Sequence, residues 1–245
     1  VAVCPEVALG LGTPRPPIQL QGSADNIRVV GSKDPHLDVT EDLRQYGNKM
    51  AIQLDSLCGY IFKSKSPSCG LERVRLLPAG KTSPNREGIG QYAAAFTKAQ
   101  PLLPVEEEGR LNDPILRDNF IERVFCYRRW QDLEHTGVTP AGLIEFHTRH
   151  KLLLLSHGVV PHRNLGRLIA DSGKRAIREI ADEYIERLMQ TLKRRASRRS
   201  HANVLQHLQG YLKRHLDRDD RQELTELIEQ YRLGREPLVV AKTLL

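Results

Sequence analysis

Tryptophan, methionine and cysteine are scarce in this chain, with one, two and four among 245 residues. So few cysteines exclude a disulfide-stapled scaffold and are expected of a reducing compartment, the cytoplasm. Long apolar runs are missing too. The longest aliphatic run, Leu152–Leu155, falls far short of the roughly 20 residues that cross a bilayer, so no membrane partner is expected. Neither an internal repeat nor a low-complexity tail is present, and nothing in the pattern signals a protein partner. Acidic residues are absent between Arg187 and Leu216.

What remains is ordinary globular material, 40% hydrophobic and 27% charged, with room for one large domain or two modest ones. Charge is unevenly shared. Residues 1–118 hold 14 Lys/Arg against 14 Asp/Glu, while residues 119–245 hold 23 against 16 and carry the whole net +7. The acid-free stretch contains Lys193, Arg194, Arg195, Arg198, Arg199, Lys213 and Arg214, with His201, His207 and His215 among them. Such a block repels itself, and a polyanion relieves it; the plainer account is a solvated helix face. The density favours nucleic acid.

The first part reads as α/β. Val1–Val3 and Tyr60–Phe62 look like short strands, and residues 40–57 have helical spacing, which makes a βαβ-like unit. The string Thr13-Pro14-Arg15-Pro16-Pro17 is an extended loop, since each residue before a proline leaves the helical region. Gly88-Ile89-Gly90 opens a helix over Gln91–Lys98, as a simple turn or a phosphate cradle. Pro101–Pro114 reads as a connector, and everything after about Asn119 as helical, giving domains 1–118 and 119–245. Thr139-Pro140 caps a helix running to about His157. Amphipathic helices follow at Ile177–Leu192 and Leu205–Leu216. Asp220 with Glu223 makes a capping box for a last helix, closed by Gly234.

Two motifs carry chemistry: Cys4-Pro5-Glu6 and Ser66-Pro67-Ser68-Cys69-Gly70. Each sets a cysteine in a tight turn after a short apolar run. Together they suggest one iron or zinc centre assembled between loops, or two ordinary half-buried thiols. Cys58, at the far end of a strand from Cys69, and Cys126, between Phe125 and Tyr127, read as structural. His147 and His150 lie three apart on one helix, at a spacing open to a metal, to contacts inside the helical domain or to RNA. Tyr127 and Trp130 are offered for base stacking or for core packing.

The N-terminal motifs, with Lys63-Ser64-Lys65 leading into the second, resemble the thiouracil desulfidase family. The run from Glu145 to His157, with His147, His150 and Lys151, resembles the YbgA-like helical domain fused to that family in many bacterial proteins. The resemblance implies a Rossmann-like α/β domain followed by an all-α domain. It also implies a [4Fe-4S] cluster on three cysteines with one iron left open, and, for the fused form, 4-thiouridine in transfer RNA as substrate, converted to uridine. By motif match Cys4 and Cys69 are two ligands. The third belongs to a Cys-Leu-Leu-Gly-like segment that this sequence does not contain, and it is expected upstream of Val1, where residues are taken to be missing.

Glu6, two residues from Cys4, is the expected general base, with a surface or capping carboxylate as the alternative. Ser66 is expected to touch the pyrimidine edge or relay a proton, or to satisfy its turn. Arg15, Lys63 and Lys65 are candidate contacts to the uracil oxygen or a phosphate; exposed, solvated lysines are the plainer reading of the last two. His147, His150, Lys151, Lys193, Arg194, Arg195, Arg198, Arg199, Lys213 and Arg214 are the expected RNA contacts. The rival readings are a desulfidase of free thiouracil, a non-catalytic RNA-binding module, and a zinc hydrolase on Cys4 and Cys69, the last weakened by the lack of a nearby His or Cys.

Overall fold

The computed structural model of the chain describes residues 1–245 apart from Ala24 and Pro35 and the side chain of Ser172. They form two compact units, Val1–Val124 and Phe125–Leu245. The division falls inside the helix Pro114–Thr136, which also holds the expected boundary at 118/119.

The first unit runs α1 (Pro5–Ala8), β1 (Ile18–Ser23), β2 (Asn26–Gly31), α2 (Thr40–Gln53), β3 (Tyr60–Phe62), β4 (Val74–Leu77), β5 (Asn85–Gly88), α3 (Gln91–Ala99), β6 (Val105–Glu107) and the start of α4 (Pro114–Thr136). A mixed four-stranded sheet has the order β2-β1-β4-β5. β1 runs antiparallel to β2, with Ile18 opposite Gly31, and parallel to β4, with Leu20 opposite Leu76. β3 and β6 form a separate parallel pair with α3 between them in sequence, a βαβ crossover. The expected α/β character holds.

Alternation explains the sheet. Ile27 and Val29 are buried on either side of exposed Arg28, as Val74 and Leu76 are on either side of exposed Arg75. α2 packs on α3 through Gly47, where a β-carbon would lie 2.8 Å from the Tyr92 carbonyl oxygen and 2.9 Å from Ala95 Cβ. An aromatic cluster holds β3 to α3, with Tyr60 at 4.5 Å from Phe62 and 4.7 Å from Phe96, ring centre to ring centre.

Two expectations for this unit fail. Val1–Val3 is not a strand but irregular chain leading straight into α1. Pro5 fixes its own φ for a helix start and pushes Cys4 into extended geometry, so the chain turns there at once. Pro101–Pro114 is no plain connector, since it contains β6. Within it Glu106 holds Arg110, Glu107 accepts from Leu71 N–H, and Glu108 accepts from Ser64 N–H.

The second unit is all-α: the remainder of α4, then α5 (Pro140–His157), α6 (Val159–Ala170), α7 (Ile177–Lys193), α8 (Arg198–Leu212), α9 (Arg218–Arg232) and α10 (Leu238–Thr243). Thr139 caps α5 as expected, its Oγ1 accepting from Gly142 N–H at 3.1 Å. The last capping box is Asp217 with Asp220 rather than Asp220 with Glu223, so α9 begins one turn earlier than expected. Gly234, at φ 80°, ends it. Trp130 is 1% exposed, stacked on Tyr184 and edge-on to Phe146, which makes it core and removes it from base stacking. Cys126 is fully buried, the packed residue expected. Ala202, Leu205, Leu224, Ile228, Tyr231 and Ala241 make a separate small core under α8–α10. Among the described residues no helix is long and apolar enough to cross a membrane.

Candidate active site

The cysteine loop is built by its own serines. Ser66 Oγ accepts from the backbone N–H groups of Ser68 and Cys69, each at 3.2 Å, which closes the turn that Pro67 begins. The loop is then capped by α3. Gly90 N–H donates to Gly70 O, Gln91 N–H to Pro67 O and Ala93 N–H to Ser68 O. Helix-start donors that would otherwise need water are satisfied by loop carbonyls. The docking is tight enough to require glycine: a β-carbon on Gly90 would lie 2.5 Å from the Ser68 carbonyl and 2.7 Å from Cys69 N. The Gly88–Gly90 turn thus seats the cysteine loop, and its donors are not open to a phosphate.

Ser68 is the residue that sequence reasoning missed. It is 1% exposed and its Oγ donates to Glu6 Oε1 at 2.5 Å, with Ser66 Oγ 2.9 Å away. A hydroxyl has one proton, and Ser68 gives its own to Glu6, so Ser66 is the donor in the serine pair. The chain therefore runs Ser66 to Ser68 to Glu6. Arg15 Nη1 sits 3.4 Å from the other carboxylate oxygen. Only the Ser-x-Ser spacing ahead of Cys69 hinted at this, and a turn serine has the same appearance.

Cys69 lies half-buried beside this chain. Burial, together with the charges of Glu6 and Cys4, pushes its thiol up to about 11. It lines a cavity of about 470 Å³ with Val1–Val3, Gly59–Phe62, Lys63 and Glu108. That size suits a small planar ligand, and the Tyr60–Phe62 wall is largely apolar. Lys63 pairs with Glu108 at 2.7 Å. Burial opposes ionisation of Glu108, but Lys63 and the Ser64 N–H and hydroxyl outweigh it and hold the acid at about 2. Lys65 lines a neighbouring cavity instead.

Cys4 and Cys69 stand close enough for the charge of one to act on the other. Two neighbouring cysteines fit two ligands of a shared iron centre, which takes cysteine as thiolate. Among the described residues no three His, Cys, Asp or Glu side chains gather to hold a metal ion, so a third ligand is not found there. Cys58, half-buried, does not line the Cys69 cavity.

The other expected contacts lie in the second unit. His150 is 2% exposed, its Nδ1 donating to Phe146 O at 2.7 Å, and His147 Nδ1 is 3.1 Å from the Tyr184 hydroxyl. His150 belongs to the interior of the unit, while His147 is half-buried. Burial lowers the pKa of each. Lys151 is exposed, its ammonium over the Tyr211 ring. Lys193, Arg194, Arg195, Arg198 and Arg199 are exposed together where α7 passes into α8, and Lys213 and Arg214 are exposed just past the other end of α8. That helix is about 22 Å long, so the structure resolves the basic block into two clusters.

Comparison with known proteins finds matches on two separate stretches of the chain. The 2-thiouracil desulfurase family model matches residues 1–108, and the model of a protein of unknown function, DUF1722, matches residues 151–245. The uncharacterized protein YbgA of Escherichia coli (strain K12) is 35% identical over 123 residues, which is 50% of this chain and 73% of YbgA. No solved structure matches the chain significantly. The chain thus belongs to the family of YbgA, and joins a 2-thiouracil desulfurase domain to the DUF1722 region.

Proposed function

We propose that this protein is an enzyme that removes sulfur from a thiolated uracil, and that its substrate is 4-thiouridine in transfer RNA, released as uridine and sulfide. The observation that carries the reading is the Ser66–Ser68–Glu6 chain beside Cys69, within the segment matched by the desulfurase model. A Rossmann-like layout of that unit is supported by the β3–α3–β6 crossover.

The reaction exchanges C=S for C=O. Water adds to the thiolated carbon, Glu6 takes its proton, and sulfur leaves as hydrogen sulfide with no change in electron count. Ser68 and Arg15 fix the plane of the Glu6 carboxylate, so the base meets its water without reorientation. Tyr60 and Phe62 offer the ring an apolar wall. Cys4 and Cys69 would be two thiolate ligands of a [4Fe-4S] cluster. When bound, the cluster would supply Lewis acidity toward a sulfur leaving group. The basic clusters of the second unit hold the RNA backbone, since a stacked base has to be turned out to be reached. The compartment is the cytoplasm.

The test is Glu6→Gln in anaerobically prepared protein. Iron content and tRNA binding are expected to persist, while sulfide release falls by about 10²–10⁴-fold. Normal turnover by the variant refutes the role of Glu6. Parent protein that acts on free thiouracil and leaves thiolated tRNA untouched moves the substrate to the free base.

A further inference from the structure

Beside the cysteine loop a cavity of about 640 Å³ opens on the first unit, and its lining is strongly cationic. It begins at Ser64 and Lys65, immediately ahead of Ser66, and continues over Arg73, Arg75, Arg86 and Arg110. Two carboxylates share the lining, Glu72 and Glu107. Arg110 is neutralised by Glu72 at 3.0 Å and by Glu106 at 2.7 Å. Glu107 accepts from Leu71 N–H at 2.8 Å. Lys65, Arg73, Arg75 and Arg86 are exposed, and none has a carboxylate partner among the described residues.

The fold forces these charges together. Val74 and Leu76 are buried on β4, so Arg75 between them faces outward. The register pairs Val74 with Gly88 and Leu76 with Asn85, which leaves Arg86 and Glu87 across from Arg75. Glu87 accepts from the Asn85 amide and lies off the cavity lining. Like charges on facing strands are destabilising. Lys65 and Arg73 add backbone cost, since they are the two described non-glycine residues at positive φ, 60° and 55°. With nothing bound, the groove repels itself, and a polyanion releases that repulsion.

A phosphate monoester carries a charge of about −1.5 to −2, enough for two of the four cations. A phosphodiester chain instead offers one charge per link along the whole groove. The groove also starts at Ser64 and Lys65, on the segment that leads into the Cys69 loop. We infer that it is a second seat for the RNA backbone, on the desulfurase unit itself and separate from the basic clusters of the helical unit. This rests on the reading that the substrate is RNA.

The test uses the full chain with Arg75→Gln and Arg86→Gln together. Both residues are exposed, so folding is expected to survive. Binding of unmodified tRNA, followed by fluorescence anisotropy across a salt series, is expected to weaken about tenfold. The slope of log affinity against log salt is expected to fall by about two. Turnover of thiolated tRNA is expected to drop more than turnover of free thiouracil. Unchanged tRNA affinity and slope overturn the inference, and so does an equal loss on both substrates, which ties the groove to the chemistry. Displacement of tRNA by inorganic phosphate at constant ionic strength also overturns it, in favour of a monoester site. Because tRNA binding needs no turnover, a parent protein inert on every thiolated substrate sinks the proposed reaction, while this binding loss still upholds the groove.

Discussion

Ser68 Oγ donates to Glu6 Oε1 at 2.5 Å, joining segments 62 residues apart. Glu6 sits in the first turn of α1, a helix of four residues with no cooperativity of its own. Its aim therefore depends on Ser68 and on Arg15.

Ser68→Ala removes a hydrogen bond to a charged group, of the kind worth about 1.5–3 kcal/mol. The expected outcome is a fall in kcat of about 10-fold or more, with KM little changed, because the base is mis-aimed rather than lost. Steady-state sulfide release checks it. A variant with the parent kcat would mean that Glu6 is held by something else.

Gly90→Ala tests the docking of α3 on the cysteine loop. Gly90 has φ −61°, so alanine meets no backbone penalty there and the effect is steric. The added carbon would press on the Ser68 carbonyl and Cys69 N, all backbone and unable to rotate away. Overpacking of this kind costs about 1–3 kcal/mol. A lowered melting temperature and loss of sulfide release are expected together, and Gly88 offers no substitute, since its own space is closed by Leu20 and the Val74 carbonyl.

These two residues mark the limit of what the sequence discloses. Cys4, Glu6, Ser66 and Cys69 could be named because cysteines in Pro/Gly turns are rare and chemically loaded. Ser68 could not, because a buried hydroxyl bonded across 62 residues reads locally like any turn serine. Helices α5 and α7 were legible from Thr139-Pro140 and from apolar periodicity, both local signals. The α9 cap slipped by one turn because Asp217, Asp220 and Glu223 repeat the same acid-every-three spacing. β6 was hidden, since three glutamates in a row suggest solvent until partners on other segments claim them. Of the expected RNA contacts, His150 is buried, because the same spacing that shares a helix face also builds a core.

His201 gives the second unit a pH signature. Its Nδ1 lies 2.6 Å from the Tyr231 hydroxyl, and burial, then the charges of Lys242 and His157, lower its pKa to about 4. The unfolded value is about 6.5, so between these limits the unfolded chain binds more protons and stability falls as pH falls from about 6.5 towards 4. His147 and His150, also lowered, act with the same sign. Glu108, held at about 2, acts at lower pH. Thermal melts of the full chain are expected to show a declining midpoint across that window, with a shallower slope in His201→Gln. An identical slope would assign the effect to other groups.

The joint between α7 and α8 sets stability against binding. Ser197 caps α8, accepting from Ser200 N–H at 3.1 Å, and Arg198 and Arg199 fill the first turn. Cations at the positive end of a helix dipole are unfavourable, by about 0.3–1 kcal/mol each at an exposed site. Arg198 partly offsets this by lying against Gly234, where even a β-carbon would meet its guanidinium. Arg199 is exposed and has no ion pair among the described residues. Arg199→Glu is therefore expected to raise the melting midpoint by about 1–3 °C, since an acid now faces the helix start. The same change is expected to weaken tRNA binding and lower its salt slope by about one or more. Reversing Arg194, Arg195, Arg198 and Arg199 together extends that loss while turnover of free thiouracil survives. A stabler protein with undiminished tRNA affinity would make this cluster a solvated helix end and leave the RNA grip to other surfaces.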